Sequence, residues 1–356
     1  MINDKTKLDE ICEKVLCDAM DYYDIPGVAI GVSIGDEYEF TGAAGYKNYL
    51  TKEELKAEHI FHCASVSKVF TAMGIMKLVE AGKLSLTDKL VDFLPFLSIV
   101  DERYNGVELR HMLSHISGLG DILDYHWDEP AVHDEALMDF ATSDEVKGEK
   151  MLWEAGKGEF MYSNMAYEFM GLIVSQITGK TYEDAMKEML LEPAGMKEST
   201  FFTPERTGGA LDLDAIDKTN MAMPHGKAED RSMIFEPDYP YNRMHAPSST
   251  LTSNVSDLLK WGRANIKRQM LKSETYDLVW EKYATVPNNG EGMGLGWFMR
   301  EQDGYKLVGH EGTDDGFRAS FWICEELEMT VVVLCNMSRS PVKKLNKQIF
   351  EAIINA

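Results

Sequence analysis

No apolar run in this sequence approaches the ~18 residues of a membrane-crossing helix. The opening residues, Met1-Ile2-Asn3-Asp4-Lys5, are polar and carry no hydrophobic core of a secretion signal, so a cytoplasmic protein is expected. Cysteine is sparse. Cys12, Cys17, Cys63, Cys324 and Cys335 are odd in number and scattered, which gives neither a disulfide framework nor a metal-ligand pattern. They read as reduced, mostly buried thiols. Positive charge is also short: 36 Lys and Arg stand against 59 Asp and Glu, a net charge of −23. That balance argues against nucleic acid and anionic membranes as partners. There is no internal repeat and no low-complexity linker. What remains is a globular composition, 44% apolar and 27% charged over 356 residues, enough for one large or two ordinary domains.

Strand patterns sit at both ends of the chain. Lys7 to Tyr23 carries Leu8, Ile11, Cys12, Val15, Leu16 and Ala19 at helical spacing, and Pro26 closes it. Gly27 to Ile34 alternates Val28, Ile30, Val32 and Ile34. Glu37 to Tyr46 reads as its hairpin partner across Gly35-Asp36. The tail holds three more β-rich runs, Leu307 to Gly312, Phe317 to Cys324 and Met329 to Asn336. Ser340-Pro341 then opens a last helix to Ile354. Between these ends the readable elements are helices: Met165 to Ile177 closed by Gly179, one opened by the capping pattern Thr181-Tyr182-Glu183-Asp184, and Asn254 to Ile266. Gly106 to Arg110 alternates too briefly to assign, and residues 203–250 are irregular. The expected fold is mixed α/β. An antiparallel sheet is built from N- and C-terminal segments and flanked by helices, with a large, mostly helical insertion. Residues 1–85 with 255–356 form the sheet domain, 86–254 form the helical domain, and a cleft lies between them.

Chemistry concentrates first at Phe61-His62-Cys63-Ala64-Ser65-Val66-Ser67-Lys68. Val66, Val69, Phe70 and Met73 follow helical spacing, so Ser65 and Lys68 share a face at the start of a helix. A serine hydroxyl needs a neighbouring base to become a nucleophile, and a partly desolvated lysine supplies one. Tyr162-Ser163-Asn164 precedes the Met165 helix. Taken alone, Asn164 reads as a helix N-cap and Tyr162 as a packed aromatic. Gly309-His310-Glu311-Gly312-Thr313 ends a strand, with Asp315-Gly316 as the turn. Gly312 permits close backbone approach to a ligand, and the Thr313 N–H pairs with that of Ser65 as a candidate oxyanion hole. Two other patterns read as structural. Gly31-Val32-Ser33-Ile34-Gly35 spells a nucleophile elbow, but a hairpin follows it rather than a helix. His111 and His115 have zinc-ligand spacing without the accompanying glutamate.

Taken in order, Ser65-Val66-Ser67-Lys68, Tyr162-Ser163-Asn164 and His310-Glu311-Gly312 resemble the three motifs of the serine β-lactamase and penicillin-recognising hydrolase superfamily. The likeness is to its class C β-lactamases, D,D-carboxypeptidases, D-aminopeptidases and esterases. Leu113-Ser114-His115-Ile116-Ser117-Gly118-Leu119, Glu192-Pro193-Ala194-Gly195-Met196, Pro247-Ser248-Ser249-Thr250-Leu251 and Gly294-Leu295-Gly296-Trp297 extend it over roughly residues 20 to 340. The resemblance implies a β-lactamase/transpeptidase-like fold and a serine hydrolase acting on a small ester or amide. In that scheme Ser65 is the nucleophile and is acylated. Lys68 and Tyr162 share the base work, and Tyr162 protonates the leaving group. Asn164, His310, Gly312 and Thr313 hold the substrate. No metal or cofactor is required, and the oligomeric state is left open.

His310 stands where many β-lactamases carry lysine. It favours an esterase or D-amino-acid peptidase over an efficient penicillinase, because lysine is a fixed cation and histidine mostly is not. A His310 facing the cleft is expected to gain charge below about pH 6.5 and then to help hold an anionic substrate group. Residues 121–160 carry twelve Asp or Glu against three Lys. This stretch is a solvated face or a charged lip over the cleft, and as a lip it would oppose anionic substrates. The contrasting reading is a protein that kept the fold and lost the chemistry, serving as a penicillin-binding or scaffold protein.

Overall fold

Met329–Cys335 is buried along its whole length, and that places it at the centre of the sheet. It pairs antiparallel with Gly27–Ile34 on one side (Val28 opposite Cys335, Ile34 opposite Met329) and with Phe317–Cys324 on the other. The N- and C-terminal ends of the chain therefore meet in one sheet, as the terminal strand patterns predict. The computed structural model describes residues 4–157, 159–201, 220–236, 238–287 and 289–356. Nine antiparallel strands run in the order Glu53–Glu54, Tyr38–Asn48, Gly27–Ile34, Met329–Cys335, Phe317–Cys324, Tyr305–Asp314, Phe298–Gln302, Gly292–Met293, Ala284–Thr285. The last three and Glu53–Glu54 have no counterpart in the sequence reading. They are short strands of two to five residues at and near the two edges of the sheet, too brief to show alternation.

Helices cover both faces. Lys5–Tyr23 and Val342–Ile354 pack against one face through Leu8, Cys12, Leu16, Leu345, Ile349 and Phe350. On the other lie Val255–Ile266 and Ser67–Glu80, joined by stacking of Phe70 on Trp261 at 4.2 Å. The Ser67–Glu80 helix is buried on every side rather than along a stripe, so it is a central helix and not an amphipathic surface one. Residues between the two halves of the sheet add further helices, among them Leu109–Leu113, Asn164–Thr178 and Tyr182–Met186. Gly106 to Arg110 is not a strand: a 3₁₀ turn ends at Gly106 and the Leu109–Leu113 helix follows. Of the irregular stretch 203–250, residues 203–219 and 237 lie outside the described residues. The rest holds two three-residue strands and short helical turns. No described helix is long and apolar enough to cross a membrane.

Candidate active site

Ser65 lies in a 3₁₀ turn, Ala64–Val66, that leads into the Ser67–Glu80 helix. Ala64 takes a left-handed φ of 48°, an uncommon conformation for a residue with a side chain, held here by its surroundings. The Ser67 hydroxyl donates to the Ala64 carbonyl at 2.7 Å and accepts from the Leu251 N–H at 2.9 Å, which fixes the turn from inside. Lys68 sits in the first helical turn, fully buried. Its Nζ donates to Ser65 Oγ at 2.9 Å and to the Ser248 carbonyl at 2.8 Å. Burial lowers the Lys68 pKa to about 8, against the opposing pull of the Glu168, Asp121 and Asp314 carboxylates. A base with a usable neutral fraction therefore touches the hydroxyl.

Burial raises the Tyr162 pKa well above the ordinary phenol value, and the neighbouring Ser65 side chain pulls it only partly back. The two proposed bases thus differ. Lys68, with its pKa at about 8, keeps a minor neutral fraction near neutral pH, and Tyr162 keeps its proton. The Tyr162 ring is sandwiched by His115, stacked at 4.3 Å, and lies 4.9 Å from Lys68 Nζ. His115 has itself left the Leu109–Leu113 helix, with φ 56°, and accepts the Ser163 N–H on Nδ1 at 3.1 Å. His111 Nδ1 instead accepts the Glu108 N–H at 3.2 Å within the helix cap. The two histidines are therefore not a ligand pair. One of them supports the tyrosine, a role its spacing did not reveal.

Asn164 is not an N-cap. Ser163 caps the Asn164–Thr178 helix by accepting the Ala166 N–H, and Asn164 is the first helical residue. Its backbone N–H and its side-chain amide both donate to Asp121 Oδ1, at 2.9 and 2.8 Å. Asp121 is the one carboxylate of the 121–160 segment found at this point. Other carboxylates of the segment are engaged elsewhere: Glu149 with the Gly120 N–H, Asp134 with Arg243, Asp139 with His133, Glu154 with Lys157. The segment meets the cleft through Tyr125 and Phe160 instead, so it is not the charged lip. The carboxylates lining the cleft are Asp314, Glu311 and Glu291, with Lys343 paired to Glu291 at 2.7 Å.

His310, Gly312 and Thr313 lie on Tyr305–Asp314. That strand pairs with Phe298–Gln302 only as far as Gly309, so residues 310–314 have no strand on that side. Ser65, Tyr162, Asn164, His310 and Thr313 line one cleft of about 400 Å³. A larger groove of about 840 Å³ between the chain ends carries none of these residues. Gly312 makes a different close approach from the one expected. A Cβ there would stand 2.2 Å from the Cys63 carbonyl oxygen, so the glycine admits the nucleophile turn rather than a ligand. His310 also departs from expectation. It is 1% exposed, with Nδ1 2.6 Å from the Glu311 carbonyl oxygen, and burial together with Lys68 lowers its pKa to about 3. It stays neutral at working pH, so it provides no cation for an anionic substrate. Ser33 lies buried within the Gly27–Ile34 strand, followed by a turn and a second strand as its sequence implies.

The profile of the Beta-lactamase family matches residues 13–354. Penicillin-binding protein 4* of Bacillus subtilis is 25% identical over 85% of this chain and 70% of its own length. Protein flp of Staphylococcus aureus (strain MW2) is 26% identical over 93% of this chain, which spans only 64% of the length of that relative. Among solved structures, the octameric penicillin-binding protein homologue from Pyrococcus abyssi superposes with a TM-score of 0.81 at 27% identity. That match covers 99% of this chain and 77% of that one. D-amino acid amidase from Ochrobactrum anthropi SV3, complexed with D-phenylalanine, has the same fold, with a TM-score of 0.80 at 21% identity over 99% and 100% of the two chains.

Proposed function

We propose, taking as premise that the chain belongs to the beta-lactamase family and is a serine hydrolase, that it hydrolyses small esters or amides through an acyl-enzyme on Ser65. The observation that carries this reading is the buried Lys68 Nζ 2.9 Å from Ser65 Oγ, with its pKa lowered to about 8. Lys68 takes the hydroxyl proton as Oγ attacks the carbonyl carbon. Tyr162, beside Ser65 in the cleft and still protonated, relays a proton to the leaving group while Lys68 returns one to it. The main-chain N–H groups of Ser65 and Thr313 hold the oxyanion, Asn164 and His310 border the acyl group, and water releases the product. The chain is read as a sheet domain of residues 1–85 and 255–356 and a helical domain of 86–254, with substrate entering between them.

The lining supports a class of substrate. Tyr125, Phe160 and Phe298 give the cleft an aromatic wall, and Asp314, Glu311 and Glu291 leave it short of positive charge. A neutral His310 removes the feature that would have favoured a carboxylate. Nitrophenyl esters and D-amino-acid amides are expected to turn over well above nitrocefin. A panel of the three tests this, and nitrocefin as the best substrate would overturn it. For a matched pair of esters, kcat/KM is expected to be higher for the neutral one than for the carboxylated one. The gap should be about threefold or more at low ionic strength and narrow with added salt. Because His310 remains neutral, acidification is not expected to rescue the anionic ester.

The pH dependence has a definite sign. The neutral amine of Lys68 is the base, so activity falls as protons are added. Below about pH 8 the kcat/KM of a neutral ester should drop about tenfold per pH unit, and above it should level off. A profile flat from neutrality downwards would exclude Lys68 as the base.

A further inference from the structure

Behind Lys68, the turn 246–251 makes a bond with its surroundings at almost every residue. The Thr71 hydroxyl donates to the Pro247 carbonyl at 2.5 Å and Lys68 Nζ to the Ser248 carbonyl at 2.8 Å. Ser249 donates to Asp314, and the Leu251 carbonyl accepts the Cys63 N–H at 2.8 Å. The Ser248 hydroxyl points the other way and donates to Glu168 Oε1 at 2.5 Å. Glu168 lies one helical turn beyond Asn164, on the same face of the Asn164–Thr178 helix. That helix packs tightly on the turn: a Cβ on Gly171 would stand 2.0 Å from Pro247 Cγ.

The Glu168 side chain is 0% exposed and that of His245 1% exposed, with His245 Nδ1 3.3 Å from Glu168 Oε1. Glu168 Oε2 and His245 Nε2 have no hydrogen-bond partner among the described residues. Burying such a pair is costly, and well-packed apolar side chains of similar volume often serve stability as well or better. Packing alone therefore does not account for a carboxyl here.

We propose that Glu168 is a positioning residue for Lys68. Through Ser248 it seats the carbonyl that orients the Lys68 amine, and its negative charge sets the pH at which that amine becomes free. This rests on the acyl-enzyme reading above. When Ser65 gives up its proton, the Oγ–H bond breaks, an Nζ–H bond forms and Lys68 becomes an ammonium. A carboxylate behind it stabilises that ammonium. The charged and titratable groups around the pair are Asp121 and Asp314 beside Lys68, His115 and His310 held neutral by burial, and Tyr162 beside Ser65. On the Glu168 side are His245, the Tyr182 phenol and the Tyr125 ring, which packs edge-on against His245. Burial raises the Glu168 carboxyl, while His245 and the Ser248 hydroxyl pull it back toward ionisation.

The test is the rate of labelling by a neutral fluorophosphonate as a function of pH, which reads attack by the Ser65 oxygen on phosphorus, with loss of fluoride, and no later step. Glu168→Gln keeps an oxygen for the Ser248 hydroxyl and removes the charge. Its alkaline-rising limb is expected about half a pH unit or more below that of the wild type, since the ammonium has lost a counter-charge. Ser248→Ala keeps the main-chain carbonyl and the Glu168 charge but cuts the link. Its limiting labelling rate is expected to fall about tenfold while the protein stays folded at the assay temperature, with the melting temperature lowered because the buried Glu168 carboxyl loses a donor. Coincident limbs for Glu168→Gln and wild type, or a wild-type limiting rate in Ser248→Ala, would overturn the proposal. Should Glu168→Gln fail to fold, Ser248→Ala decides alone. An unlabelled wild type would instead overturn the acyl-enzyme reading, and this inference with it.

Discussion

Ser65→Ala is expected to lower turnover of p-nitrophenyl butyrate by about 10⁴-fold or more, the scale seen when a nucleophile acting with its base is removed. The residual activity comes from binding and from the oxyanion donors, which a side-chain deletion leaves in place. The fold should survive. The bonds that hold the turn are Ser67 to Ala64, Leu251 to Ser67 and the Val66 N–H to the Cys63 carbonyl at 3.1 Å, and none uses the Ser65 side chain. Lys68 keeps its 2.8 Å bond to the Ser248 carbonyl. A thermal melt close to wild type, alongside lost activity, separates a chemical defect from unfolding.

Gly312→Ala is the second large effect, and it acts by geometry. The added methyl would fall 2.2 Å from the Cys63 carbonyl oxygen and 3.1 Å from Ala319 Cβ, with a main-chain atom rather than a flexible tip as the nearer obstacle. Strand Tyr305–Asp314 and the Ser65 turn must then separate. Thr313 moves away from Ser65, and the two N–H donors proposed for the oxyanion no longer converge. A loss of about 10²–10³ in kcat is expected, comparable to removal of one oxyanion donor. An overpacking cost of about 1–3 kcal/mol should accompany it. A kcat within threefold of wild type would mean that the strand does not contribute to the oxyanion site.

Much of this site was legible because it depends on short spacings. Ser65 and Lys68 are three residues apart, and a helical start brings them together wherever the helix packs. The terminal strands were legible for a similar reason, since Gly27–Ile34 and Met329–Cys335 are dense in β-branched and apolar residues. What escaped depends on contacts between residues far apart in the chain, which leave no local signature. The carbonyl that orients Lys68 comes from Ser248, 180 residues away, and the partner of Asn164 is Asp121, 43 residues earlier. Asp121 was hidden in an acidic stretch that reads as solvent-facing. The charge on His310 was misjudged because the sequence gives its place beside the cleft but not its burial, and burial decides which form it takes.

The central claim is a covalent intermediate on Ser65, and intact-mass measurement after incubation with a fluorophosphonate or penicillin probe tests it most directly. One adduct per chain is expected in the wild type, mapped by peptide digestion to the segment containing Ser65 and absent from Ser65→Ala. A folded wild-type protein that gains no mass would mark a scaffold that kept the fold without the chemistry. An adduct that persists in Ser65→Ala would place the nucleophile elsewhere. Either result would contradict the account.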